Sequence, residues 1–205
     1  MCIRDSPFCR GRIFDVVEKD CGQYDTVTEV MWVTGAALFI RLADYREVGG
    51  LDGHFFAHME EIDLCWRLRS RGKKLVCIPQ SVVYHVGGAT LKKENPRKTF
   101  LNFRNNLLML YKNLPDKELE HVLFIRGILD RVAALVFYLK KDRANARAVM
   151  QARREFEDIR YSFAASRIEN IMKSTDEMIP ERTHFSILMK YYLLGKKHFS
   201  QLKLF

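Results

Sequence analysis

The change of pattern near residue 95 constrains the fold of this 205-residue chain more than any other feature. Before it, short runs rich in β-branched and aromatic residues alternate with brief helical stretches and breaks at Gly or Pro. After it, apolar residues recur every three or four positions. RKTFLNFRNNLLMLYKNL (97–114) sets Phe100, Phe103, Leu107, Leu110 and Leu114 on one helical line. Residues 118–139 repeat this with Val122, Ile125, Leu129, Val132, Val136 and Leu139. Further helices are expected over roughly 143–172 and 184–198, punctuated by Pro115 and Pro180. The chain therefore reads as α/β up to about residue 95 and all-helical beyond it.

Charge divides at the same place. Residues 1–95 hold 13 Lys+Arg and 13 Asp+Glu; residues 96–205 hold 21 and 12, so the whole formal charge of +9 lies in the second half. Such asymmetry marks either a solvated helical face or a surface that meets an anionic membrane or polyanion. No zinc-finger spacing, RNA-recognition signature or recognition helix accompanies it, so no nucleic-acid partner is expected. At 48% hydrophobic and 29% charged residues the composition excludes disorder. The odd cysteine set (Cys2, Cys9, Cys21, Cys65, Cys77) has no C-x-x-C pair, which argues against a disulfide framework and points to a reducing cytosol. Arg126, Asp130 and Arg131 interrupt the longest apolar run, 121–139, so it is not expected to cross a bilayer. The leading MCIRDS resembles a translated sequencing adapter; residues 1–6 are expected to be foreign, leaving regions 7–95 and 96–205.

Within the first region, 7–27 reads as loop, and TEVMWVTGAALFIR (28–41) as extended chain on either side of a break at Gly35. LADYREVGG (42–50) is a short helix stopped by Gly49-Gly50, and EEIDLCWRLRSRG (60–72) a second, stopped by Gly72. KKLVCIP (73–79) and SVVYHVGG (81–88) read as strands. Glu60, Glu61 and Asp63 suit a helix start, where each acid stabilises by about 0.3–1 kcal/mol. Each is equally a carboxylate ionised near neutral pH and fit for base catalysis. Asp63 and Arg67 have the spacing of a surface i, i+4 pair, worth a few tenths of a kcal/mol.

WVTGAALFIR, EVGGLDGHFFAHMEEIDLCWRLRSRG and IPQSVVYHVGG, in that order and spacing, resemble the second half of a family 2 glycosyltransferase catalytic domain. The bacterial rhamnosyltransferase-like group that builds cell-surface polysaccharide is the particular likeness. It covers residues 28–90 and says little about 115–205. The resemblance implies the C-terminal half of a GT-A fold, a mixed, mostly parallel sheet flanked by helices, followed here by a basic all-helical region. It implies a nucleotide-sugar donor, a glycan or lipid-linked acceptor, inversion at the anomeric carbon, and a divalent metal (Mg or Mn) held at the diphosphate by Asp-x-Asp.

Carried onto this chain, the resemblance makes Glu61 the base, at the second acid of an E-D-x-D stretch where Asp is usual. That departure leaves Glu60 open, while helical spacing (61, 64, 65 and 68 on one face) favours Glu61. Asp63 matches an acid near the acceptor, and Arg67 is grouped with the substrate-binding residues. Trp32, Thr34, Gly35 and Ala36 become the sugar wall, with Trp32 either a flat platform or a core residue beside a bulge. His85 is assigned to the metal site, against the plainer reading of a polar strand end. Gly87-Gly88 would let a loop fold over the nucleotide. No Asp-x-Asp and no nucleotide-binding first strand occur, so a fragment with an incomplete metal site, inactive alone, is expected. The basic helices suggest a cytoplasmic protein peripheral on the inner face of the cell membrane. The alternative, from another class, is a non-catalytic basic helical module that binds an anionic membrane surface or nucleic acid.

Overall fold

A computed structural model describes residues 6–85, 95–175 and 179–202. The segment expected to be loop folds into a hairpin of β1 (Arg12–Ile13) and β2 (Val16–Val17), with Phe14 in a positive-φ turn conformation. β3 (Thr28–Glu29) pairs antiparallel with β4 (Val76–Cys77), and the Val30 N–H extends the ladder to Leu75 O at 2.9 Å. Gly35 does not merely interrupt extended chain: Gly35–Ala37 is a 3-10 turn capped by Thr34. The strand expected at 81–88 does not form over its described part. Residues 81–85 lack a ladder partner among the described residues, and Tyr84 is 97% exposed. Gly87-Gly88 lies outside the described residues.

α1 (Leu42–Glu47) ends at Gly49-Gly50, as its sequence demands. Gly50, at φ +67°, donates its N–H to Tyr45 O, and a Cβ there would lie 2.9 Å from the Tyr45 ring, so glycine is required. α2 (Glu60–Ser70) runs as expected and stops at Gly72. All of Ile62–Ser70 is buried, so this helix is wrapped on every side, unlike a surface helix with one apolar stripe.

α3 (Pro96–Asn113) opens with an Asn95 cap and Pro at its first turn, and ends before Pro115. α4 (Asp116–Leu139) follows, then α5 (Arg143–Ile159), capped by Asp142. The helix expected over 143–172 is interrupted by a 3-10 turn, Arg160–Phe163, before α6 (Ala164–Met172). Ile159, Tyr161, Ser162 and Phe163 are weak helix formers, and the turn sends Phe163 into the core. The last expected helix is short, α7 (Ile187–Tyr192).

One hydrophobic core runs across the boundary at residue 95, joining Met31, Leu64 and Trp66 to Leu107, Leu110 and Phe156. A smaller cluster packs Phe8 and, from the first hairpin, Ile13 against Ile187 and Phe199. α4 departs from its expected orientation. Val122 is buried, but Val132, Val136 and Leu139 face solvent. The face turned toward α3 and α5 carries Arg126 and Asp130, paired at 2.8 Å, with Arg153 on the same carboxylate at 2.8 Å. The described cysteines, Cys9, Cys21, Cys65 and Cys77, are free thiols. Among the described residues no helix is long and apolar enough to cross a membrane.

Candidate functional site

The loop that delivers α2 is strained. Phe56, His58 and Met59 all have positive φ, a conformation that non-glycine residues adopt rarely, and Met59 caps the helix without a side-chain hydrogen bond. Such backbone persists only where its surroundings fix it. Here Asn105 of α3, fully buried, donates its amide to Phe55 O, Ala57 O and His58 O, each at 2.8 Å. Arg104 adds a bond to His54 O at 3.0 Å. α3 thus sets the position at which α2 begins.

At that beginning, Glu61 lies under the 3-10 turn of the WVTGA segment. A Cβ built on Gly35 would sit 3.6 Å from Glu61 Cβ, so the two segments touch and the absent side chain leaves the approach open. Burial pushes the Glu61 carboxyl above its ordinary value, and the neighbouring Glu60 charge adds to this. The backbone of Glu61, Ile62 and Gly35 pulls in the opposite direction without cancelling it. Cys65, one turn on, is held up at about 12 by burial, with the Val33 backbone beside it, so the 61/65 line faces residues 33–35.

Four buried polar atoms from these neighbouring segments have no hydrogen-bond partner among the described residues: Glu60 Oε2, Glu61 Oε2, His58 Nε2 and Trp32 Nε1. Buried polar groups are satisfied in the great majority of cases, and further atoms of this kind, such as both polar atoms of the Asn106 amide, occur elsewhere in the molecule. At the start of α2 these four are groups that water or a ligand would satisfy. Burial lowers the His58 pKa, with Lys98 reinforcing and Glu60 opposing, so its imidazole is neutral at pH 7.

The remaining predicted residues divide. Thr34, Gly35 and Ala36 are exposed on the turn over Glu61, with Thr34 Oγ1 accepting from Ala36 N–H. Trp32 is core, 6% exposed, and offers no open face as a sugar platform. Asp63 and Arg67 pair as their spacing predicts, but not on a surface. Asp63 Oδ2 accepts from Arg67 Nε at 3.0 Å and Lys112 Nζ at 3.0 Å, and Oδ1 accepts from Asn113 at 2.8 Å. Arg67 also donates to Val48 O and Gly50 O, which leaves little of its guanidinium for a substrate. Lys112 reaches Asp52 at 2.7 Å. Burial raises the Asp52 carboxyl, but Lys112 and His54 outweigh it and hold the group at about 2.

His85 is exposed, and among the described residues no group of three or more His, Cys, Asp or Glu converges to hold a metal ion. These residues therefore do not by themselves fit the divalent ion that the resemblance implies. The residues missed from sequence are Asn105, His58 and Lys112. The one available signal was the Asn105-Asn106 pair within an otherwise apolar helical line.

No family model and no solved structure matches the chain. It is similar over part of its length to glycosyltransferases. The pre-mycofactocin glycosyltransferase of Mycobacterium tuberculosis is 31% identical over 141 residues, covering 63% of this chain and 29% of that protein. Rhamnosyltransferases stand beside it. Rhamnosyltransferase WbbL of Escherichia coli is 33% identical over 69 residues, covering 34% of this chain and 25% of that protein. The N-acetylglucosaminyl-diphospho-decaprenol L-rhamnosyltransferase of Mycobacterium tuberculosis is 38% identical over 56 residues, covering 27% and 18%. The chain thus spans less than a third of the length of each of these curated relatives.

Proposed function

We propose that the start of α2 and the turn above it form the acceptor side of an inverting glycosyltransferase, with Glu61 as the base. The observation that carries this is the Glu61 carboxyl: buried beside Gly35, raised in pKa, and with Oε2 unpartnered among the described residues. A carboxylate so placed loses less on protonation than one tied up by donors, which suits a proton acceptor. In the proposed step Glu61 takes the acceptor hydroxyl proton as the acceptor oxygen attacks the anomeric carbon. The bond from that carbon to the diphosphate oxygen breaks, and the nucleoside diphosphate leaves with its electron pair. Glu61 then releases the proton to solvent.

Thr34, Gly35 and Ala36 supply accessible backbone against the sugar, and the neutral His58 adds a hydrogen-bonding group beside Glu60. In this reading Asp63 and Arg67 position α2 and do not touch substrate. The donor is a nucleotide-sugar, and the acceptor a glycan or lipid-linked glycan of cell-surface polysaccharide; the name of one relative contains a polyprenol-linked sugar. The fold is the later half of a GT-A domain. A divalent ion at the diphosphate would need more ligands than His85, because among the described residues no group of three or more His, Cys, Asp or Glu could hold one.

The test is sugar transfer from a panel of nucleotide-sugars, by this chain and by this chain joined to a nucleotide-binding half. The chain alone is expected to transfer none. In the joined protein Glu61→Gln is expected to lower kcat by about 10²–10⁴, with Glu60→Gln far milder. Activity that survives Glu61→Gln removes Glu61 as the base.

A further inference from the structure

We infer that the outward face of α4, together with the arginine row of α5, is a docking surface for an anionic lipid membrane. α4 is inside out. Its inner side holds the Arg126–Asp130–Arg153 cluster, while Phe124, Ile128, Val132, Leu135 and Leu139 recur along its outer side. Phe124 is 69% exposed, Leu135 55% and Leu139 70%. Scattered apolar residues on a surface need no explanation, but a continuous stripe along one helix marks an interaction face. At 1.5 Å per residue this stripe runs for roughly 22 Å.

Alongside it, Arg143, Arg147, Met150 and Arg154 are exposed at helical spacing on α5. None of these arginines forms an ion pair among the described residues, whereas the nearby Glu155 is taken by Arg104 at 2.8 Å. An open groove of 980 Å³ separates the two rows, lined by Leu135 and Tyr138 on one side and Arg147, Met150 and Arg154 on the other. Asp158, at its rim, forms no ion pair among the described residues.

Charge decides the occupant. A second copy packed on this face about a twofold axis would bring like-charged arginine rows together, which disfavours association. An anionic bilayer offers acyl chains to the stripe and phosphates to the arginines, the arrangement of an interfacial amphipathic helix. The excess of basic residues in 96–205 adds long-range attraction of the same sign. None of this rests on the sugar chemistry proposed above.

The test is flotation of the full chain with phosphatidylcholine vesicles, alone and with about 30% phosphatidylglycerol, across a salt series. Binding is expected only with the anionic lipid, and is expected to fall as salt rises. Arg147→Gln with Arg154→Gln should weaken it roughly thirty-fold. Phe124→Ser, Ile128→Ser and Leu135→Ser together should weaken it roughly a hundred-fold. Those residues face solvent, so an unchanged circular dichroism spectrum is expected. Absence of flotation, equal binding to neutral vesicles, or full binding by the serine variant overturns the inference. So does light scattering that shows a dimer broken by the serine changes, with no flotation.

Discussion

Glu61 and Asp63 stand two residues apart on α2, yet Asp63 has donors on both oxygens while Glu61 Oε2 has none among the described residues. The helix makes the difference: two residues turn it by about 200°. That rotation sends Asp63 toward Lys112 and Asn113 of α3, and Glu61 toward the turn at Gly35. Asp63 is fixed and shielded, as a framework needs. Glu61 keeps one carboxylate oxygen without a partner among the described residues, beside the exposed turn, as the proposed base role needs. Acidity and helical position alone do not separate the two roles; the surroundings do.

Asp63→Ala breaks the comparison most severely. It leaves Arg67 and Lys112 buried without their shared carboxylate, and removal of one partner from such a network costs about 3–5 kcal/mol. Urea unfolding should show that loss; a change below about 1 kcal/mol would mean that Asp63 is no framework residue. Asn105→Ala is expected to act next most strongly, by about 1–3 kcal/mol, since three loop carbonyls lose one donor group. Hydrogen exchange should then rise selectively near residues 55–60, where the strained loop starts α2. Uniform exchange across the molecule would show that the loop does not depend on Asn105.

Much of the local structure was legible because local chemistry encodes it. The Gly49-Gly50 stop, the α2 span, the Gly72 stop and the end of α3 before Pro115 all follow from residues within a turn of the feature. Periodicity showed that α4 is helical, but spacing alone does not say which face meets the protein, so the outward stripe was unreadable. SVVYH has strand composition, yet a strand also needs a neighbour, which its own sequence does not reveal. Asn105 clamps a loop about fifty residues away, and only the packing of α3 on that loop brings them together. The resemblance directed attention to Glu61 and Glu60; contact with Gly35 distinguishes Glu61 in a way that spacing only suggested.

The most direct test of the contrast is a carbon-13 NMR titration of the Glu61 carboxyl, assigned by comparison with Glu61→Gln. Burial and the Glu60 charge predict a midpoint above the ordinary glutamate value of about 4.3. The linked stability has a defined sign. A carboxyl whose folded pKa is raised destabilises the fold when ionised. That penalty is absent below the unfolded pKa, grows through the window up to the folded pKa and persists above it. Glu61→Gln should therefore remove a pH-dependent loss of stability on the alkaline side of that window and change nothing on the acid side. A midpoint at or below the ordinary value would contradict the account, because it would mean that Glu61, like Asp63, is already held by partners.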